Sequence, residues 1–362
     1  MNPSVAILCL VLATAGLLAL PLMPAIGELR KKHDAQPLSV IQQYAGEIRH
    51  FASGFRNYIE PLQQRLQECV ALRMTAAGVL HQDDEYLLLG EVDQTSLSRM
   101  VGREGTTCPM LVAAGVDLVL PGGLTFRKEI FAGGQFLGGE QSTYRAILGD
   151  KQIHLQRASK VLRWAHAAGS FQVDHNCDLY GRVSSDEQML LQSGCFFQRL
   201  NAPCIVMGSP EVTADGNGSF ASAISTVEPT PERPARRRLI EGDWEIQPGE
   251  VVRENIVSRG KLHIGAGARI FGSAKSNSEM VVGPDVVVEG SLISAATMHI
   301  GPRCQIRGPV ISEREMVIQS GAQCGAPQIP TTVSAPIIDA EEGSLFFGTL
   351  WAREQGRVIP KS

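Results

Sequence analysis

The chain is poor in several things that would mark common function classes. Aromatic residues make up only 6% of it, no C-x-x-C pair occurs among its eight cysteines, and no excess of basic charge is present. A net charge of −4 leaves no basic face able to neutralise a phosphate backbone, which excludes a nucleic-acid partner from the expected functions. The cysteines are Cys9, Cys69, Cys108, Cys177, Cys195, Cys204, Cys304 and Cys324. None is combined with histidine at zinc-ligand spacing, so no metal site is expected. Scattered cysteines in apolar surroundings behave as small buried hydrophobes and suit a reducing compartment. Hydrophobic residues reach 44% and charged residues 19%, the balance of a folded chain. The 37 glycines, set among many Val and Ile, favour β-structure with frequent tight turns.

Residues Ser4 to Ile26 carry no charged side chain and are mostly Leu, Ala, Val and Ile. As a helix such a run is roughly 34 Å long, enough to cross a bilayer core. Arg30, Lys31 and Lys32 follow it, and the enrichment of basic residues on cytoplasmic flanks places the body of the protein on the cytoplasmic side of an inner membrane. A cleavable signal peptide is the alternative, with a cleavage region near Met23-Pro24-Ala25, although Met1–Pro3 offers no basic n-region. Apolar residues then recur at Ile41, Tyr44, Ile48, Phe51, Phe55, Tyr58 and Leu62 in alternating steps of three and four, the seam of an amphipathic helix. Pro61 bends or divides it, and Leu66, Cys69 and Val70 continue the apolar face. Aromatic seam positions suit a tight coiled coil poorly, which favours a helix laid on its own domain over a dimerising stalk. Between residues 80 and 110 only Tyr86–Leu89 reads as a strand, among loops.

An internal period decides the fold. Ile246, Ile264, Val282, Ile300 and Ile318 are 18 residues apart, and Leu262, Met280, Met298 and Met316 keep the same step two residues earlier. Ala268, Val286, Cys304 and Ala322 form a further column, as do Gly272, Gly290 and Gly308. Alternation within each unit means strands with one face inward. Short alternating strands with glycine corners in an 18-residue unit describe one coil of a parallel β-helix, whose coils stack at about 4.8 Å and share a core. Upstream, Ile153, Phe171, Met189 and Met207 repeat the step, alongside Leu137, Leu155, Val173 and Leu191. The step from Met207 to Ile246 breaks the register. Two arrangements are compatible with that break: one solenoid with a long inserted loop, or two solenoids hinged by a linker. After about Gly325 the repeat ends, and Ser344–Trp351 is a candidate cap.

The coils KLHIGAGARIFGSAKSNSEMVVGPDVVVEGSLISAATMHIGPRCQIRGPVIS resemble the bactofilin family of bacterial polymer-forming cytoskeletal proteins, most clearly over residues 245–325 and more loosely over 125–208. The resemblance implies a right-handed β-helix that joins end to end without nucleotide, sits at the inner membrane and localises cell-envelope machinery. Typical members are short, with one solenoid between disordered tails. The anchor, the helical stretch, the second repeat block and the candidate cap depart from that pattern and bear on whether assembly is open-ended.

Candidate chemistry is sparse. A hexapeptide-repeat acyltransferase is the nearest enzymatic rival, but the apolar-Gly step here recurs once per 18 residues rather than at every sixth. Such an enzyme also needs a general base in a cleft between coils. His263 and His299 each lie between inward residues and are expected to face solvent. His166, Asp174, His175 and Cys177 are close in sequence, yet Cys177 falls on an inward ladder, and a packed core is the plainer reading. Arg236–Arg238 read as a solvated linker. A third class is a periplasmic structural protein, in which Cys177 and Cys195 on adjacent coils lie at disulfide distance.

The expected fold is therefore all-β, a parallel right-handed β-helix with 18-residue coils preceded by a transmembrane helix and a short amphipathic helical region. The expected divisions are an anchor over residues 1–27, a helical stalk over 28–80, a first solenoid half with an N-terminal cap over 81–208, a Pro/Ser/Gly-rich loop or linker over 209–240, a second half over 241–326 and a tail over 327–362. The expected function is that of a non-catalytic, membrane-anchored scaffold without a cofactor. Its expected partners are copies of itself, the inner membrane, and proteins of polysaccharide synthesis or export.

Overall fold

The computed structural model describes residue 14 and residues 49–80, 84–101, 105–208 and 236–361. The chain divides into two compact units, residues 1–43 and 44–362. Apart from Thr14, the expected transmembrane segment and its flank Arg30, Lys31 and Lys32 lie outside the described residues, as do Ile41, Tyr44 and Ile48 of the amphipathic seam. Among the described residues no helix is long and apolar enough to cross a membrane.

The body is a parallel β-solenoid of about 13 turns built on 18-residue coils. Each coil of the second block has three short strands, for example Leu262–Ile264, Arg269–Ile270 and Ala274–Ser276. Each strand pairs in register with the strand one coil later. Leu262, Met280, Met298 and Met316 form one continuous column, and Ile264, Val282, Ile300 and Ile318 run beside it. Ile246 pairs with Ile264 at the start of that second column. In the first block Ile153, Phe171 and Met189 stack in the same manner. All of these side chains are at most 2% exposed and belong to one hydrophobic core that extends through both blocks.

The coil geometry follows from local chemistry. One corner in every coil places a residue in the left-handed region: Gly249, Gly267, Asp285, Arg303 and Gly321 in the second block, and Gln141, Ala158, Asn176 and Gly194 in the first. At another corner Gly272, Gly290 and Gly308 stack so closely that a Cβ on Gly290 would meet the Gly272 carbonyl oxygen at 2.4 Å. A polar ladder runs inside. Ser258, Ser276, Ser294 and Ser312 are fully buried, and the Ser276 and Ser294 hydroxyls donate to the carbonyls of Gly260 and Ser278 at 2.8 and 2.7 Å. Each of these hydroxyls also accepts from the backbone N–H two residues ahead, of Ser278 and Ala296. Buried hydroxyls so satisfied tie one coil to the next without leaving an orphan group.

The two blocks are not successive coils rising in one direction. The last strand of the first block, Phe196–Met207, pairs antiparallel with the last strand of the second, Leu345–Ile359. The blocks thus run in opposite senses and meet at their C-terminal ends. One side of the prism is a single sheet passing from Glu85–Leu89 through the first block, across this junction, and on to Arg237–Ile240 at the far end. Ser344–Trp351 lies at the junction, with Phe346 and Leu350 buried in the common core.

Several details differ from the sequence reading. The repeat does not stop at Gly325: Ile318 pairs with Ala340 and Cys324 with Phe346, so the coil merely lengthens around a small bridge between Ala326 and Ile329. Met207 pairs with Leu191, not Met189, because the coil feeding the junction is two residues short. Leu137 pairs with His154 and faces outward, while Phe136 and Gly138 occupy the inward positions. Arg237–Ile240 is a strand of the first coil of the second block, not linker, pairing with Asn255–Ser258. Its run of arginines hides the strand from a reading based on hydrophobicity.

The helical stretch is laid on its own domain. Helix α1 (His50–Ile59) and helix α2 (Gln63–Leu72) are separated by a 3-10 turn at Glu60–Leu62 that contains Pro61. They cover the outer face of the first block. Ala52, Phe55, Ile59, Leu62, Leu66 and Cys69 are buried against a second cluster that includes Leu88, Phe131, Leu148 and Trp164. A third helix, α3 (Gln94–Met100), was not foreseen. Its signal is the capping box in which Asp93 and Ser96 exchange side-chain and backbone hydrogen bonds. Met100 of α3 is fully buried in the main core at the first coil.

Candidate assembly interface

The ends of a solenoid carry its unfinished chemistry, because each terminal coil offers a row of backbone groups with no coil beyond it. The four ends of the two blocks are treated differently. The C-terminal ends of both blocks complete each other at the junction. At the first coil of the first block, α3 inserts Met100, and Val92, Leu97 and Val101 pack beside it. At the first coil of the second block the strands Arg237–Ile240, Trp244–Ile246 and Val251–Val252 pair on one side only, with the next coil, among the described residues.

Side chains around this coil have a mixed character. Leu239 and Val251 are about half exposed, at 50% and 51%. Trp244 heads the Leu262–Met280–Met298–Met316 column and packs, partly buried, against the core. The Arg238 guanidinium lies 5.5 Å from the Trp244 ring centroid and also donates to Glu254 at 2.8 Å. Arg259 pairs with Glu241 and Lys261 with Glu279, both at 2.8 Å. These pairs span one coil, as do Arg303–Asp285, Arg307–Glu289 and Arg357–Asp339. The 18-residue period therefore aligns opposite charges outside as well as apolar side chains inside. Most of these pairs are exposed and contribute little stability individually.

The candidate chemical groups do not converge. His263 and His299 are exposed on the outer face; His263 meets Glu245 at 3.4 Å. His154 contacts Asp174 at 3.0 Å, while His175 contacts Ser193 at 3.1 Å, and His166 lies elsewhere, beside Ser184. Cys177 is buried in the core, its sulfur donating to the Gln156 carbonyl at 3.2 Å. Cys195, one coil above, donates to the Asp174 carbonyl at 3.0 Å. The hydrogen bond with Cys177 and burial both push the Cys195 thiol up. Burial raises Cys304 to about 11 and Cys324 to about 12, so neither is a thiolate near neutral pH. A shallow groove on the outer wall near the open coil, bordered by Trp244, Lys261, His263 and Val281, carries the Lys261–Glu279 and His263–Glu245 pairs on its lining. Among the described residues no group of three or more His, Cys, Asp or Glu is placed to hold a metal ion.

The serine ladder was missed in the sequence reading, although Ser258, Ser276, Ser294 and Ser312 share the 18-residue step as plainly as the apolar columns do. Compared with known protein families, curated proteins and solved structures, the chain shows no match to any of them.

Proposed function

We propose that this protein is a non-catalytic, self-associating scaffold of the bactofilin type, with a right-handed coil. Residues 4–26 anchor it in the inner membrane and Arg30, Lys31 and Lys32 mark the cytoplasmic side. In this reading it organises envelope components, among them proteins of polysaccharide synthesis or export. The observation that carries the proposal is the first coil of the second block, whose three strands are paired on one side only among the described residues while Leu239 and Val251 stand exposed beside them. An unpaired strand edge is a template for another strand, and burying it with its apolar neighbours is favourable. The junction within the chain supports the reading, since there two coil ends already bond to each other in antiparallel fashion.

Sedimentation and electron microscopy of the detergent-extracted full-length protein test the proposal. Particles joined through their ends are expected, and Leu239→Lys with Val251→Lys should release them to single rods. Single rods at every concentration, or joined particles indifferent to both substitutions, would count against it.

A further inference from the structure

Helix α1 is held to the solenoid by charge as well as by its apolar face. Arg49, just ahead of α1, pairs with Asp186 at 2.8 Å, and Arg56 pairs with Asp150. Phe55 packs on Trp164 with ring centroids 5.6 Å apart, and Arg182 lies 5.1 Å from the Phe51 ring centroid. His166 sits among these contacts. It is only 8% exposed, its Nδ1 is 2.9 Å from the Ser184 hydroxyl, and its Nε2 is 3.8 Å from the carboxylate of Asp186 that also receives Arg49. The scaffold reading makes no use of this histidine.

We infer that His166 and the Arg49–Asp186 and Arg56–Asp150 pairs form a pH-sensitive latch, which clamps α1 to the solenoid while the imidazole is neutral and loosens it when the ring takes a proton. The groups facing the ring are Arg49 and Arg56 from the α1 side, Asp150 from the turn after Thr143–Gly149, and Ser184 and Asp186 from Asp178–Ser185 and its exit. A protonated ring carries a third cation into a pocket already bordered by two guanidinium groups. It also draws Asp186 toward Nε2 and away from Arg49, so the clamp loses an anion at the moment it gains a repelling charge.

The sign follows from the surroundings. Burial lowers the affinity of His166 for a proton most, Asp186 opposes this, Arg49 and Arg56 lower it further, and Asp150 again opposes. The net direction is below the ordinary imidazole value of about 6.5. The clamped state therefore binds the proton less readily than a released one. Its stability is complete above about pH 6.5 and declines as pH falls from there toward the lowered value.

Backbone hydrogen exchange in the full-length protein, corrected for the intrinsic pH dependence of exchange, tests the latch. Amides of His50–Ile59 should exchange several-fold faster at about pH 5.5 than at about pH 7.5, while those of the inner strands keep their protection. His166→Gln, neutral at both values, should abolish the difference. A proton titration of the His166 ring followed by NMR in the unaltered protein should have the same midpoint as the exchange change. Equal exchange of α1 at both pH values, a difference that survives in His166→Gln, or a ring titration that does not track the exchange would each overturn the inference.

Discussion

At the scale of single residues, two kinds of ladder hold the rod together, and they fail differently. Ile300 is 1% exposed between Val282 and Ile318 in its column. Ile300→Asp places a carboxylate where no counter-charge or water can reach it, and the cost is expected to be at least about 3 kcal/mol. Chemical denaturation of the variant should show a correspondingly lower midpoint; an unchanged midpoint would mean the side chain does not point inward. The serine ladder is milder. Ser294 donates to the Ser278 carbonyl and accepts from Ala296, so Ser294→Ala strands one acceptor and one donor and is expected to cost about 1–3 kcal/mol. The buried thiols are inert by the same logic of burial. Cys304 and Cys324, raised to about 11 and about 12, should resist alkylation at neutral pH until the protein is unfolded, which mass spectrometry after a brief treatment would read directly.

At the scale of the coil, the corner residues set what each turn costs. Ala158 occupies a left-handed corner at φ 58°, where glycine stands at Gly249, Gly267 and Gly321 in the second block. A left-handed conformation costs a non-glycine residue about 1–2 kcal/mol, part of which glycine gives back through its greater freedom when unfolded. Ala158→Gly is therefore expected to raise stability by about 0.5–1 kcal/mol, measured by the same denaturation midpoint; a loss would show that the corner is not strained. The coil is also the scale at which the sequence was most legible. Inner columns recur because every coil faces the same two neighbours, so a constraint on one position is copied 18 residues on. Legibility fails where that sameness fails. Met207 slips from its column because it enters the junction, Leu137 because the coil that follows it is one residue short, and Arg237–Ile240 because an edge strand has a neighbour on one side only. The serine column escaped notice for another reason: a polar residue reads as surface, and only the buried carbonyl it meets reveals it as core. Assembly was less legible than the coil, since the resemblance supplied an expectation about ends without saying which end is complete.

At the scale of the whole body, the reversal of direction between the blocks matters most. A solenoid that rises in one direction has two unlike ends. Joining two blocks through their C-terminal ends leaves two N-terminal ends outward, one closed by α3 and the other bearing the strand edges of Arg237–Val252. The junction itself is tight. A Cβ on Gly356 would meet the Phe197 ring at 2.2 Å, so Gly356→Val should force the blocks apart and lower the melting temperature, with each block retaining its own strands by circular dichroism. The most direct test of this architecture is a cross-link across the junction. Asn201 and Thr349 are register partners whose side chains touch at 3.0 Å, and antiparallel partners lie within the range a disulfide spans. A chain carrying Asn201→Cys and Thr349→Cys should form that bond within one molecule on mild oxidation and melt at a higher temperature. A folded double variant in which residues 201 and 349 stay unlinked would contradict the end-to-end arrangement, and with it the outward placing of the Arg237–Val252 strand edges on which assembly is built.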